Sequence, residues 1–209
     1  MAKGLLLAMM EPPSAHDAEF NDWYDNEHLP ERQAVAGFLT ARRFVCIEGW
    51  PRYLALYDLA SVDVLHSPGY YAIARDRYSP WTHRTQAFVQ GLLRAEGTQL
   101  DPGDALFGDA GGAARLVLWH FRDVPAAAVA HIGPGLRAIY GGRPETAQLR
   151  VFKLSHDDTV GYAGLVELRV PRGFDGLDLA PLGEAARAIA AVNVFVPYRP
   201  RGRVPGLKT

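Results

Sequence analysis

The strongest restriction on this fold is that the chain runs through one order of elements twice. Residues 3–10 are a short, continuous apolar run stopped by Glu11, Pro12 and Pro13, and they read as a buried strand. Ser14 then offers an N-cap, and Phe20, Trp23 and Tyr24 fall at i, i+3 and i+4 on one helix face. Pro30 cannot continue a straight helix, which puts His28 at a helix end or kink. Gly37 closes that helix. A β-rich run follows at 38–47, with a turn at Gly49-Trp50-Pro51 and a hairpin partner at 52–59. Ser67-Pro68 and Ser79-Pro80 each pair an N-cap with proline at the first helical position, and a strand at 87–95 completes the set.

The order is β, α, β, β, α, β, and it returns after the turn-rich residues 101–112. Strands are expected at 114–121, 147–154, 161–170 and 192–197, and helices at 126–140 and 179–190. The letters return too. His28-Leu29, Ala36-Gly37 and Arg42-Arg43-Phe44 are echoed by His131-Ile132, Tyr140-Gly141 and Arg150-Val151-Phe152, and the run from Tyr53 is echoed by the run from Tyr162. We therefore expect α+β architecture with two tandem ferredoxin-like βαββαβ repeats at 1–100 and 113–200, a linker at 101–112 and a tail at 201–209. A βαββαβ unit leaves one apolar sheet face bare, so two copies in one chain should pack their antiparallel sheets into an α+β barrel. A further homodimer is compatible with this.

Composition limits function mostly by exclusion. With 48% hydrophobic and 22% charged residues the chain can fill a sizeable core, and its net charge of -1 gives no general attraction for nucleic acid or an anionic membrane. The basic tail from Arg199 reads as a solvated terminus. Cys46 is the single cysteine, so neither a disulfide framework nor a cysteine zinc site is expected, and a reducing cytoplasm fits. The apolar run from Leu5 is too short to span a membrane and lacks a signal-peptide cleavage pattern. No GxGxxG follows a strand, and there is no phosphate loop, GxSxG or HExxH. The histidines are too scattered to name a metal site.

Trp23-Tyr24, then Glu27-His28-Leu29-Pro30, Val35-Ala36-Gly37-Phe38, Ala41-Arg42-Arg43-Phe44 and the run from Tyr53 to Leu59 carry a resemblance. So do Ser67-Pro68-Gly69-Tyr70-Tyr71 and Ser79-Pro80-Trp81-Thr82. Together these resemble the EthD-like proteins of the dimeric α+β barrel superfamily. The match covers residues 3–95; the second half keeps only the topology and His131. The superfamily includes polyketide cyclases, cofactor-free oxygenases, decarboxylases, muconolactone isomerase and haem enzymes such as dye-decolourising peroxidases. The resemblance implies a ligand cavity between the sheet and the helices of a repeat, near the helix of His28.

His28 is the candidate general acid or base, since imidazole titrates near neutral pH; the alternative is a structural histidine at its helix end. Asp25 and Glu27 would favour its protonated form if close in space. Trp23 and Tyr24 either wall a pocket or are plain core. Arg42 and Arg43 are adjacent in a strand and must face opposite ways, so at most one reaches a given cavity; Arg43 is the candidate to hold a developing oxyanion. Tyr57 is a candidate phenol donor and Tyr53 shares its strand face, although core packing would explain both. Tyr70, Trp81 and His83 crowd the second helical region as candidate substrate contacts.

The expectation is a cofactor-independent enzyme acting on a small hydrophobic, aromatic or polyketide-like molecule, with no metal, as a lyase, isomerase, cyclase, decarboxylase or oxygenase. The alternatives are a non-catalytic binding protein of a catabolic pathway, or a haem enzyme.

Overall fold

The computed structural model describes residues 2–108, 113–156, 159–172 and 176–199. Its eight strands are β1 (Gly4–Glu11), β2 (Arg42–Glu48), β3 (Tyr53–Leu59), β4 (Gln90–Asp101), β5 (Arg115–Arg122), β6 (Thr146–His156), β7 (Thr159–Leu168) and β8 (Ile189–Pro197). They close into a barrel of order β1-β3-β2-β8-β5-β7-β6-β4, with every neighbouring pair antiparallel. Strands β1 to β4 are contiguous in the barrel, as are β5 to β8. Contacts of β2 with β8 and of β4 with β6 close the ring.

The closed ring explains the apolar run of β1. Leu5, Leu7 and Met9 point into the barrel with Phe44, Leu56 and Phe152, while Leu6, Ala8 and Met10 point outward against the helices with Phe20 and Trp23. A strand covered on both faces has no polar side to alternate with. Each fully buried Leu or Phe contributes about 2 kcal/mol, so the strand is held from both sides.

Outside the barrel lie helices α1 (Asp17–Trp23), α2 (Leu29–Ala34), α3 (Pro68–Tyr71), α4 (Pro80–Phe88) and α5 (Val129–Tyr140). Ser67 Oγ accepts from the Tyr70 N–H at 3.2 Å and Ser79 Oγ from the Thr82 N–H at 2.9 Å, the expected caps of α3 and α4. Ser14 caps nothing; it opens a 3-10 turn, and α1 starts at Asp17. On the second half Ile132, Leu136 and Ile139 of α5 fill the space over Val117, Trp119 and Val166. Leu136 lies so near Gly164 that a Cβ there would stand 2.4 Å from a Leu136 methyl carbon.

Several boundaries differ from expectation. Gly37 turns the chain with φ +96°, and Phe38 makes only an isolated bridge to Leu59, so β2 starts at Arg42 instead of residue 38. Helix α4 keeps Phe88, so β4 starts at Gln90 and runs to Asp101, past the expected end at 95. The helix expected at 179–190 is a 3-10 run, Ala180–Ala188, broken at Gly183 with φ 53° and ψ -131°, and Ile189 already belongs to β8. Within the expected linker, Phe107 is buried in the barrel interior. Residues 109–112 and the tail at 201–209 lie outside the described residues.

The barrel interior also holds buried charge. Asp58 Oδ1 accepts from Arg150 Nη1 at 2.6 Å, and Oδ2 accepts from Thr40 Oγ1 at 2.8 Å and from the Phe107 N–H at 2.6 Å. Glu167 stands 4.0 Å from Arg150 Nη2, and burial pushes its carboxyl up to about 7 despite that guanidinium. No helix among the described residues is long and apolar enough to cross a membrane.

Candidate functional site

The segment Tyr24–His28 between α1 and α2 is a π turn, in which the Leu29 N–H reaches back to the Tyr24 carbonyl. Pro30 follows at once. Proline has no N–H to give and its ring crowds the preceding turn, so an irregularity at this point is expected. The helix nevertheless continues through Ala34, and His28 therefore ends no helix. The wide turn stacks residues five apart, with the Trp23 and His28 rings 4.3 Å from centroid to centroid and Tyr24 edge-on to His28 at 5.1 Å. Such π turns are frequent at functional sites.

These side chains wall a cavity of about 140 Å³ between the helices and the outer barrel face. Trp23, Tyr24, His28 and Arg32 come from the helix; Leu6, Ala8, Met10 and Tyr57 come from β1 and β3. Tyr70, Tyr78 and Thr85 close the far side, and exposed Gln86 and Leu92 mark its rim.

Four buried polar atoms on this cavity lack a hydrogen-bond partner among the described residues: Tyr24 Oη, His28 Nδ1, Tyr57 Oη and Thr85 Oγ1. The phenols of Tyr24 and Tyr57 are close enough to affect each other's ionisation, but neither is satisfied by a well-formed bond. An orphaned buried polar atom costs about 1–3 kcal/mol, so three hydroxyls and a ring nitrogen at one cavity call for an occupant that supplies partners.

Burial holds His28 well below the ordinary imidazole value, and the guanidinium groups of Arg32 and Arg43 push the same way. The imidazole is neutral at neutral pH. Asp25 and Glu27 do not raise its pKa as expected, because both are engaged elsewhere. Asp25 accepts from Arg43 Nη1 at 2.6 Å and from Tyr198 Oη at 2.9 Å; Glu27 accepts from Ser79 Oγ at 2.5 Å and Thr82 Oγ1 at 3.1 Å. Burial raises the Tyr24 phenol, against the pull of Arg43, and raises the Tyr57 phenol far more, so both keep their protons.

Of the residues singled out in the sequence, Trp23, Tyr24, His28, Tyr57 and Tyr70 line this one cavity. Arg43 does not. It lies behind Tyr24, sandwiched between that ring and Tyr198, with Asp25 and the Asn21 carbonyl oxygen each 2.6 Å from its nitrogens. Arg42 belongs to the opposite face of β2, within electrostatic reach of Glu167, so neither arginine of the pair reaches the cavity. Tyr53 donates to Asp17 at 2.8 Å and accepts from Asn21 at 2.9 Å beside Arg43. Trp81 donates to Glu19 at 3.0 Å, and His83 is exposed, edge-on to Tyr78 at 5.9 Å.

The cavity's arginine is instead Arg32. It is 2% exposed, gives one N–H to the Ile73 carbonyl at 3.2 Å, and has Glu31 at 3.7 Å. The sequence does hold a signal for it, since Arg32 follows His28 by four residues in the same helical segment. Arg94 of β4 also lines the cavity, with Nη2 3.3 Å from Tyr70 Oη and Nη1 3.0 Å from Glu96. Only strand pairing reveals it.

Comparison by sequence matches no protein-family model and no curated protein. Comparison of structures does find relatives. An anthrone oxidase-like protein superposes with a TM-score of 0.66 at 11% identity, covering 95% of this chain and 92% of its own. The fold is that of the α+β barrel proteins. A proposed monooxygenase of Lactobacillus acidophilus NCFM matches with a TM-score of 0.54 at 7% identity, covering 95% of this chain and 94% of its own. A proposed chlorite dismutase also matches at 0.54 and 7%, covering 95% and 96%.

Haem, an alternative left open by the sequence, does not fit this cavity. A void of about 150 Å³ accepts one benzene ring, far less than a porphyrin, and His28 is packed against Trp23 and Tyr24. His83 and His131 are exposed. No group of three or more metal-ligating side chains is found among the described residues.

Proposed function

We propose that this chain is a cofactor-independent enzyme that removes a proton from a small aromatic or enolisable substrate, as an oxygenase or a related carbanion-forming enzyme. The observation that carries this reading is a buried, neutral imidazole with an unpartnered nitrogen at a cavity walled by aromatic and aliphatic side chains with two guanidinium groups. A neutral His28 takes the proton; the Tyr57 and Tyr24 hydroxyls and Arg32 receive the oxyanion that forms. A depressed pKa keeps the base unprotonated but weakens it. The anion made beside it offsets that weakness, because imidazolium and oxyanion attract strongly in a dry site. The resulting electron-rich carbanion can react with dioxygen or be reprotonated elsewhere. Likeness to an anthrone oxidase-like protein and a proposed monooxygenase makes dioxygen the favoured second reactant.

We also propose the EthD-like relationship and the tandem origin. The strand orders β4-β1-β3-β2 and β8-β5-β7-β6 support two ferredoxin-like units fused in one chain, as do the echoed letters around His28 and His131. In such a fusion the second unit covers the barrel without a copy of the site, and α5 with its aliphatic packing fits that role.

The test is turnover of a panel of phenols, enols and anthrones by the purified protein, with dioxygen uptake recorded and no cofactor added. His28→Gln should lower kcat/KM about 10²- to 10⁴-fold with an unchanged circular dichroism spectrum. Full activity in that variant would remove the mechanism.

A further inference from the structure

The polar groups of the cavity are unequal in kind. Tyr24 and Tyr57 are protonated and in reach of one another but make no well-formed bond to any described group, and Arg32 has donated one N–H to a carbonyl and faces a carboxylate only at 3.7 Å. Arg94 adds a second guanidinium to the wall. Against these donors the buried wall sets the lone pair of neutral His28, with the Thr85 hydroxyl able to give or accept and the Gln86 amide at the exposed rim. No carboxylate is among the described residues lining the cavity. A ligand that satisfies this wall offers several acceptor lone pairs and one acidic proton.

The geometry sets the spacing of those groups. Tyr24 is edge-on to His28 at 5.1 Å and is also the neighbour of Tyr57, so the base and the donors occupy adjacent sides of one small space. Within about 140 Å³, the two oxygens of a ligand that meets both sides sit close together on its ring. The ring that carries them lies against Trp23 and the apolar wall of Leu6, Ala8 and Met10. The volume of about 140 Å³ encloses one ring and is too small to enclose a tricycle.

We infer that the ligand class of this site is a single-ring compound bearing two neighbouring oxygens, an ionisable hydroxyl directed at His28 and an acceptor oxygen directed at Tyr24, Tyr57 and Arg32. This rests on the cavity being the functional site and deepens the function proposed for it. On binding, the hydroxyl O–H bond breaks, the electron pair stays on oxygen, and the proton moves to the imidazole lone pair. The phenolate oxygen then stays paired with the imidazolium, the conjugated acceptor oxygen that shares its charge is held by the phenol and guanidinium donors, and no other reactant is needed for this step.

The experiment is calorimetric titration without dioxygen, using 2-hydroxyacetophenone, 2-methoxyacetophenone, acetophenone and ethylbenzene as probes. Near-ultraviolet difference absorbance reads phenolate formation in the same samples. The hydroxy ketone should bind about tenfold or more tightly than the other three and should show the phenolate band. Tyr57→Phe and Arg32→Met should each remove about tenfold of that preference while leaving ethylbenzene binding unchanged. Affinities equal within about threefold across the probes would overturn the inference. So would tight binding of a tricyclic anthrone with no binding of the single-ring probes, or binding of none of them. Probe preference without any dioxygen uptake would leave the ligand class standing and remove only the oxygenase reading.

Discussion

At His28 the protein surrounds an imidazole with two aromatic rings, hides it from water and places two guanidinium groups in electrostatic reach. Every one of these features disfavours the imidazolium, so the residue acts as an acceptor of protons at neutral pH. The sign for stability follows from linkage. Below pH about 6.5 the unfolded chain protonates this histidine and the folded one does not, so stability is full above that value and falls as the pH drops toward the folded pKa. His28→Gln should remove this acid-sensitive component, visible as a flatter plot of urea midpoint against pH below 6.5. The acid limb of kcat/KM should likewise fall below the ordinary histidine range; a limb at pH 7 or above would contradict it. Arg43, expected in the sequence to hold an oxyanion, belongs to a different task. Arg43→Met should cost about 2–3 kcal/mol of stability by leaving Asp25 without its cation, seen as a lower urea midpoint.

The decisive element is the π turn at Tyr24–His28. In a straight α-helix residues 23 and 28 point about 140° apart, so Trp23 and His28 would face different ways. The periodicity of the sequence placed Phe20, Trp23 and Tyr24 on one face and put a kink near Pro30, yet nothing in those letters states that the turn widens. Hydrogen-bond phase is a property of the packed helix, and it is this phase that brings Trp23 onto His28. Inserting one alanine after exposed Asn26 should put Trp23 and His28 six residues apart, beyond the single-residue offset that the wide turn absorbs, and rotate Trp23 away from His28. The expected outcome is retained far-ultraviolet helicity with loss of turnover and of hydroxy-ketone binding; retained turnover would mean that the wide turn does not matter.

For the whole molecule, the succession of strands and helices along the chain and the α+β barrel were legible, the first strand because it is apolar on both faces from Leu5 to Met10 and the barrel because a bare sheet face needs a cover. Cross-barrel partners were not legible. Asp58 and Arg150 lie 92 positions apart and meet at 2.6 Å inside the barrel, and no local pattern announces that pair. Arg94 was missed for the same reason, since it joins Tyr70 only through the folding of β4 against β1. Asp58→Ala should cost about 3–5 kcal/mol, because it strands a fully buried guanidinium and removes the acceptor of the Phe107 N–H. Glu167 has the opposite pH sense from His28. Its folded value, about 7, lies above the unfolded 4.5, so its contribution is full below pH 4.5 and is lost as the pH rises through 7. Glu167→Gln should therefore gain relative to the parent between pH 5 and pH 8, by at most about 3 kcal/mol in urea unfolding.

The central claim, that this barrel presents a neutral imidazole as a base, is tested most directly by nuclear magnetic resonance titration of the His28 ring in the folded protein. The account predicts an imidazole that stays neutral well below pH 6.5 and whose pKa rises in Arg32→Met. Protonation of His28 at or above pH 6.5 would contradict it.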